Sequence, residues 1–438
     1  MTSIRNDDVF ITAFGAVTGA GDEEAWRAAW LEGESAVRPL EGSNEGLPPG
    51  YGAPVAFTQK DLRGLPGGRG LRPGTMTEHT FLAVGAVGRT LVAAGLEDPS
   101  ADADAVADRR GVYLGTYTNF PEMKKHLALV HAMGDPEAAA RGEYRIDDSR
   151  IMAGMRGFGG FDFLKLMNNM PTAHASIQAN ARGPANTFLG HSSVGLQAIG
   201  RAWDAIRLDL ADQFVAGGSG PGTLEGLCLL RRAQGRLADE GLDPATAARP
   251  LDRSATGLVP GDAGASVVLE TGACASARGR APLARLAAYS ELFVVPRGPH
   301  GPLPGPGGIV ALAQQALSQA GWSGSDLDYI AATGAGLADL DRLEAAALAE
   351  IVGTGGAWIA AHTGVTGFCE AAHAPLGLVG ALQAMADGKL PPAVNSGEPW
   401  PELVGRLSTT ADTGDVRRAL ILSLAPEGTL TALAIERV

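Results

Sequence analysis

Residues 183–200 read GPANTFLGHSSVGLQAIG, and no other stretch limits the possible folds of this chain as strongly. The apolar run Asn186 to Leu189 predicts a short buried strand. The turn Gly190-His191-Ser192-Ser193 follows. Val194, Leu196, Ala198, Ile199 and Ala202 then recur at helical spacing, which predicts a helix reaching about Leu208. Strand, tight turn and helix in that order put free N–H groups and the positive end of a helix dipole behind the turn, a setting that favours negative charge and a nucleophile. Ser192 occupies the nucleophile's place. Whether it can react depends on a base supplied by some other part of the chain.

The same alternation runs along the rest of the sequence. Asp8 to Val17 (DVFITAFGAV) predicts a first buried strand, and Asp22 to Leu31 a helix capped by Asp22 with acids in its first turn. Residues 34–75, rich in Gly and Pro, predict an irregular surface stretch, and Thr77 to Ala94 an amphipathic helix. A strand is expected at Gly111 to Gly115. A helix is expected at Phe120 to His131, with Met123, Leu127 and Val130 on one face. Residues 135–160 predict loop, and Asn168 to Asn180 leads into the central stretch. Strands follow at Gln213 to Gly217 and Ala265 to Leu269. The second half repeats the grammar. Strands are expected at Leu283–Val295, Tyr329–Ala332, Trp358–Ala361, Arg418–Leu424 and Leu430–Ile435, and helices at Ile309–Ala320, Leu340–Ile351 and Pro375–Met385. This rhythm predicts a layered α/β architecture, plausibly duplicated, without clear sequence identity between the halves.

Composition narrows the function. At 438 residues the chain can hold two or three domains or one large duplicated unit. A formal net charge of −13 argues against a general nucleic-acid binder. No run of about 18 apolar residues indicates a membrane span. The N-terminus MTSIRNDDVF lacks the layout of a signal peptide. Cys228, Cys274 and Cys369 do not pair by spacing and read as reduced thiols of a cytoplasmic protein. No Cys/His cluster has metal-ligand spacing. Gly261-Asp262-Ala263-Gly264 lacks the ending of a phosphate loop and reads as a structural turn.

Six segments together resemble the β-ketoacyl synthase family over nearly the whole chain. They are VFITAFGAVTGAG, GPANTFLGHSSVGLQAIG, QFVAGGSG, RPLDRSATGLVPGDAGASVVLE, YIAATGAGLADLDRLEAAAL and HTGVTGFCEAAHAPLGLVGAL. The resemblance implies a duplicated thiolase-like fold with layers α-β-α-β-α. The expected halves are residues 1–275 and 276–438, in an obligate dimer. The family's chemistry uses a Cys nucleophile at a helix N-terminus and two His side chains that support malonyl decarboxylation. Carried onto this chain, Ser192 falls on the Cys, Thr333 on the first His and Phe368 on the second. Thr363 falls on a supporting Lys, and Ala425-Pro426-Glu427-Gly428 on a Gly-Phe-Gly-Gly gate. Asp341 and Glu344 are kept. All three reacting positions are therefore changed, and losing members of such a unit collapses its rate.

Within the family this pattern looks like the chain length factor, the ketosynthase-like subunit without a nucleophile. Such subunits commonly carry Gln at the Cys position, and Ser192 departs from that. The resemblance implies a heterodimer with an active ketosynthase, an acyl carrier protein docking mainly on that partner, and no cofactor or metal. It also implies an acyl tunnel near the dimer interface lined by Phe120, Met123, Leu127 and Val130, whose plainer reading is ordinary core. Other readings stay open. One is a Ser192-dependent acyltransferase, because Gly190-His191-Ser192 resembles a Gly-His-Ser-x-Gly elbow; position 194 is Val194, however, and Gly195 comes one place late. His191 should point away from Ser192. His362 and His373 could supply a base, although a structural role is the simpler expectation. A divergent ketosynthase, or a decarboxylase that primes the chain, is a weaker alternative. A local basic patch at Arg63, Arg69 and Arg72 could attract an acidic carrier despite the net charge.

Overall fold

The computed structural model describes residues 8–40, 50–119, 123–157, 159–295 and 305–438. Its frame is one mixed sheet whose main strands are β1 (Val9–Thr18), β2 (Arg110–Thr116), β3 (Ala185–Leu189), β4 (Gln213–Pro221), β5 (Asp262–Thr271), β6 (Ala284–Phe293), β7 (Tyr329–Ala331), β8 (Trp358–Ala360), β9 (Arg418–Leu424) and β10 (Thr429–Arg437). They lie in the order β8-β7-β9-β10-β6-β1-β5-β4-β2-β3. Counted within each half, both run third, second, fourth, fifth, first. In both, the second strand is parallel to the third and fourth, while the fifth is antiparallel to the fourth and first. The halves meet where β1 and β6 pair antiparallel at Phe10–Arg285 and Ile11–Ala284. This is a duplication, joined about a pseudo-two-fold axis.

The helices that position the site are α1 (Glu23–Glu32), α2 (Glu78–Ala93), α3 (Met123–Met133), α4 (Met170–Gln178), α5 (Val194–Arg207), α6 (Glu225–Ala233), α7 (Gly305–Ala320), α8 (Ala338–Val352) and α9 (His373–Asp387). α2 and α4 cover one face of the first half, and α7 and α8 cover the second. α5 and α9 lie between the two, which gives the five layers α-β-α-β-α. The middle layer is the driest. Leu376, Leu378, Val379 and Leu382 of α9 are all buried, each worth about 1.5–3 kcal/mol of removed apolar surface. α1 starts where Asp22 accepts from the Ala25 N–H at 3.0 Å and stops at Gly33 in the left-handed region. Among the described residues, no helix is long and apolar enough to cross a membrane.

Four local expectations need correction. Residues 34–75 carry a short helix at Gln59–Gly64 and are not merely surface, because Leu62 and Leu71 are buried with Met76 against Val84 of α2. For the same reason α2 is not amphipathic: sheet on one side and this stretch on the other bury it almost all round. Residues 135–160 are not loop. They carry short helices at Pro136–Ala140, Ile151–Met155 and the start of Gly160–Lys165, whose polar and Gly-rich composition hid them. β3 is a strand but not a buried one. It is the sheet's edge, with a largely exposed burial pattern and Leu189 at 51% exposure.

Candidate functional site

The turn between β3 and α5 is where the chain's chemistry would sit. Ser192 is fully buried, and its hydroxyl has no hydrogen-bond partner among the described residues. Its neighbours are both committed. Ser193 Oγ donates to the carbonyls of Thr429 (2.7 Å) and Ser423 (3.2 Å), which moors the turn to the β9–β10 hairpin. His191 stacks on Tyr117, and its Nδ1 lies 3.2 Å from the Arg231 guanidinium. The same nitrogen lies 3.5 Å from a carboxylate oxygen of Glu427. Burial holds the imidazole below its ordinary pKa.

Thr333 sits in the loop after β7, and two acids hold that loop from behind. Glu344 accepts the N–H groups of Thr333 (2.7 Å) and Gly334 (2.8 Å). Asp341 accepts those of Ala335 (2.9 Å) and Gly336 (3.0 Å), and of Leu251 (2.8 Å). Four consecutive orphan donors are thus satisfied by side chains one and two turns along the next helix. Burial pushes Asp341 up to about 8 and Glu344 up to about 7, against the pull of these donors. The Thr333 hydroxyl accepts the Leu424 N–H at 3.0 Å. Ser193 and Thr333 therefore both rest on the end of β9, and the structure brings their loops together.

Phe368 lies on the link between β8 and α9, buried, with its ring 4.7 Å from that of His373. His373 Nε2 donates to the Thr333 carbonyl at 2.7 Å, and its Nδ1 faces the Cys369 N–H at 3.4 Å. Burial takes it down to about 4. His362 donates through Nε2 to the His373 carbonyl and faces Thr366 Oγ1 through Nδ1, both at 2.9 Å, and burial holds it well below its ordinary value. Every ring nitrogen of both histidines is engaged within the link and its neighbours. Thr363 donates to the Thr333 carbonyl at 3.4 Å. Gly261–Gly264 is not a turn but extended chain: Asp262, Ala263 and Gly264 open β5, and the Gly261 N–H donates to the Phe368 carbonyl.

Beside His191 stands a cluster that sequence reasoning missed. The Arg231 side chain of α6 is only 3% exposed. It holds Glu370 through two bonds (3.1 and 2.7 Å) and Glu427 at 3.0 Å. Arg236 pairs with the same oxygen of Glu427. Burial pushes the Glu427 carboxyl up, but His191, Arg231 and Arg236 outweigh it and hold the group below its usual range. Two signals were available. A glutamate among small gate residues needs a counter-charge, and Arg231 interrupts the apolar face of Leu227 and Cys228.

The remaining candidates fall elsewhere. Leu127 and Val130 lie on α3, Leu127 at 57% exposure and Val130 half-buried, so neither is ordinary core in this chain. Met123 begins that helix, and Phe120 lies outside the described residues. Arg63, Arg69 and Arg72 are exposed and carry no salt bridge among the described residues. All three cysteines are free, and burial pushes the Cys228 and Cys274 thiols up to about 12.

Residues 6–275 match the model of the β-ketoacyl synthase N-terminal domain, and residues 297–396 that of the β-ketoacyl synthase C-terminal domain. The chain is 31% identical over 289 residues to an actinorhodin polyketide putative β-ketoacyl synthase 2 of Streptomyces coelicolor, covering 60% of this chain and 68% of the relative. It is 28% identical over 402 residues to the tetracenomycin polyketide synthase ketoacyl synthase β subunit of Streptomyces glaucescens, covering 90% of each. In fold it is similar to the ishigamide ketosynthase/chain length factor, with a TM-score of 0.81 at 21% identity over 99% of this chain and 100% of that one.

Proposed function

This chain belongs to the β-ketoacyl synthase family, and we propose that it acts there as a chain-length-factor subunit. It pairs with an active ketosynthase and bounds the cavity in which a poly-β-keto or polyene chain grows. The observation that carries this reading is the state of Ser192. A hydroxyl needs an adjacent base to become a nucleophile, and this one has no hydrogen-bonded partner among the described residues. His362 and His373 spend their nitrogens within the protein, and Phe368 can neither donate to an oxyanion nor carry a proton. The same facts remove the support for a Ser192-dependent acyltransferase.

The surface supports a partner. β3 ends the sheet among the described residues, and Leu189 on it and Ile177 of the neighbouring α4 are exposed, as are Phe161 (64%) and Met152. An unpaired strand edge flanked by large apolar side chains is unstable as a free surface and typical of an interface. The cavity would be bounded from this side by α3, through Leu127 and Val130. Bulky apolar walls limit chain length because each added unit must be buried without overlap. A net charge of −13 disfavours an acidic acyl carrier protein on average, so the carrier docks mainly on the active partner. Arg63, Arg69 and Arg72 form the local exception.

Co-expression with a ketosynthase whose Cys and His residues are intact tests this. The two should co-purify as a heterodimer and yield a product of one length. Elongation of an acyl thioester from malonyl donors by this chain alone would refute it.

A further inference from the structure

We infer that the Glu427–Arg231 ion cluster is a lock that closes the doorway to Ser192, sealing the hydroxyl at the head of α5 from solvent and from any thioester. The inference rests on the reading above for its purpose, which is to leave carrier-bound chains to the partner subunit. Its geometry stands alone.

Three pieces of chain converge on the turn that holds Ser192. The first is the β9–β10 hairpin, whose tip Ala425–Gly428 carries Glu427 and whose flanking carbonyls at Ser423 and Thr429 take the Ser193 hydroxyl. The second is the Phe368–Ala372 link, which carries Glu370 and passes over the first turn of α5. The third is α6, which presents Arg231. Arg231 joins the other two: its guanidinium grips Glu370 on the link and Glu427 on the hairpin, and His191 of the turn itself packs against it. Arg236 adds a second hold on Glu427. Ser192, between His191 and Ser193 on that turn, has no exposed surface.

The cluster is costly in ways that ordinary packing does not demand. Buried ion pairs contribute little net stability, since desolvation offsets their attraction. Glu370 holds a left-handed backbone, φ +45°, which a residue with a Cβ adopts only under strain. The second oxygen of Glu427 is buried without a partner among the described residues. A hairpin tip is normally the loosest part of a sheet. Here it is tied down by a carboxylate between two arginines, directly beside the turn.

A thiol reporter tests the lock. Ser192→Cys is prepared alone, with Glu427→Gly, and with the isosteric Glu427→Gln. Each protein is treated with iodoacetamide in the absence of substrate, and labelling of the peptide holding position 192 is followed by mass spectrometry, with the half-buried Cys274 as internal reference. Thermal melting confirms that each variant is folded. S192C alone should label at least tenfold more slowly than S192C/E427G, with S192C/E427Q also faster than the single variant. Equal rates with and without Glu427 would overturn the lock. So would an unreactive thiol in folded forms of both double variants. Either failure leaves the chain-length reading intact, because no product is measured, and a failure to co-purify with a ketosynthase leaves the lock intact.

Discussion

The carbonyl oxygen of Ala371 lies 2.0 Å from the point that a Cβ on Gly195 would occupy. Backbone cannot retreat as a flexible side chain can, so residue 195 must be glycine for the link before α9 to cross α5 here. Gly195→Ala should therefore destabilise the protein by about 1–3 kcal/mol, the usual cost of overpacking. Chemical denaturation against the parent measures it. A neutral result would mean that the link does not press on the helix.

Acid should unfold the protein partly through His373. Its folded pKa of about 4 lies below the ordinary 6.5. Between those values the unfolded chain takes up a proton that the folded chain refuses. The contribution is thus present above pH 6.5 and is lost as pH falls towards 4, by about 3 kcal/mol in all. Asp341 and Glu344, pushed up to about 8 and 7, work the other way: their contribution is greatest below their ordinary values and is lost as pH rises through 7 to 8. The informative measurement is the difference in stability between the parent and His373→Gln across pH 4–7. The variant should show a shallower acid limb.

Leu189→Lys should leave the isolated chain folded, because the side chain is already half in water. It should weaken association with a ketosynthase partner at least tenfold, about 1.4 kcal/mol. A lysine on a strand edge repels pairing. Gel filtration of the co-expressed pair reads both parts of this expectation.

Leu127→Ala should lengthen the product of the reconstituted pair by at least one malonyl-derived unit, read by mass spectrometry. Its effect on stability should stay within about 0.5 kcal/mol, as for other exposed positions. An unchanged product would remove Leu127 from the cavity wall.

The strands and helices flanking Ser192 were legible because fully buried strands and helices announce themselves as apolar runs and 3.6-residue periods. DVFITAFGAV and QFVAG lie where they were expected, as do the helices starting at Val194 and His373. β3 misled because its apolar residues anticipate a surface that this chain alone does not supply. The short helices in 135–160 misled because capping aspartates such as Asp135 and Asp147 also start turns. The pairing within the ion cluster is hard to read because its members are far apart in sequence: Arg231 is 139 residues from Glu370 and 196 from Glu427. No local pattern connects them.

The placement of β1 has a consequence for synthesis. This first strand pairs with β5 and β6, and Thr12 donates to Glu270, 258 residues later, at 2.7 Å. At about 5–20 residues per second its partners are synthesised on the order of tens of seconds after it is. Throughout that interval most of this largely apolar strand waits for its long-range partners, exposed to wrong pairing.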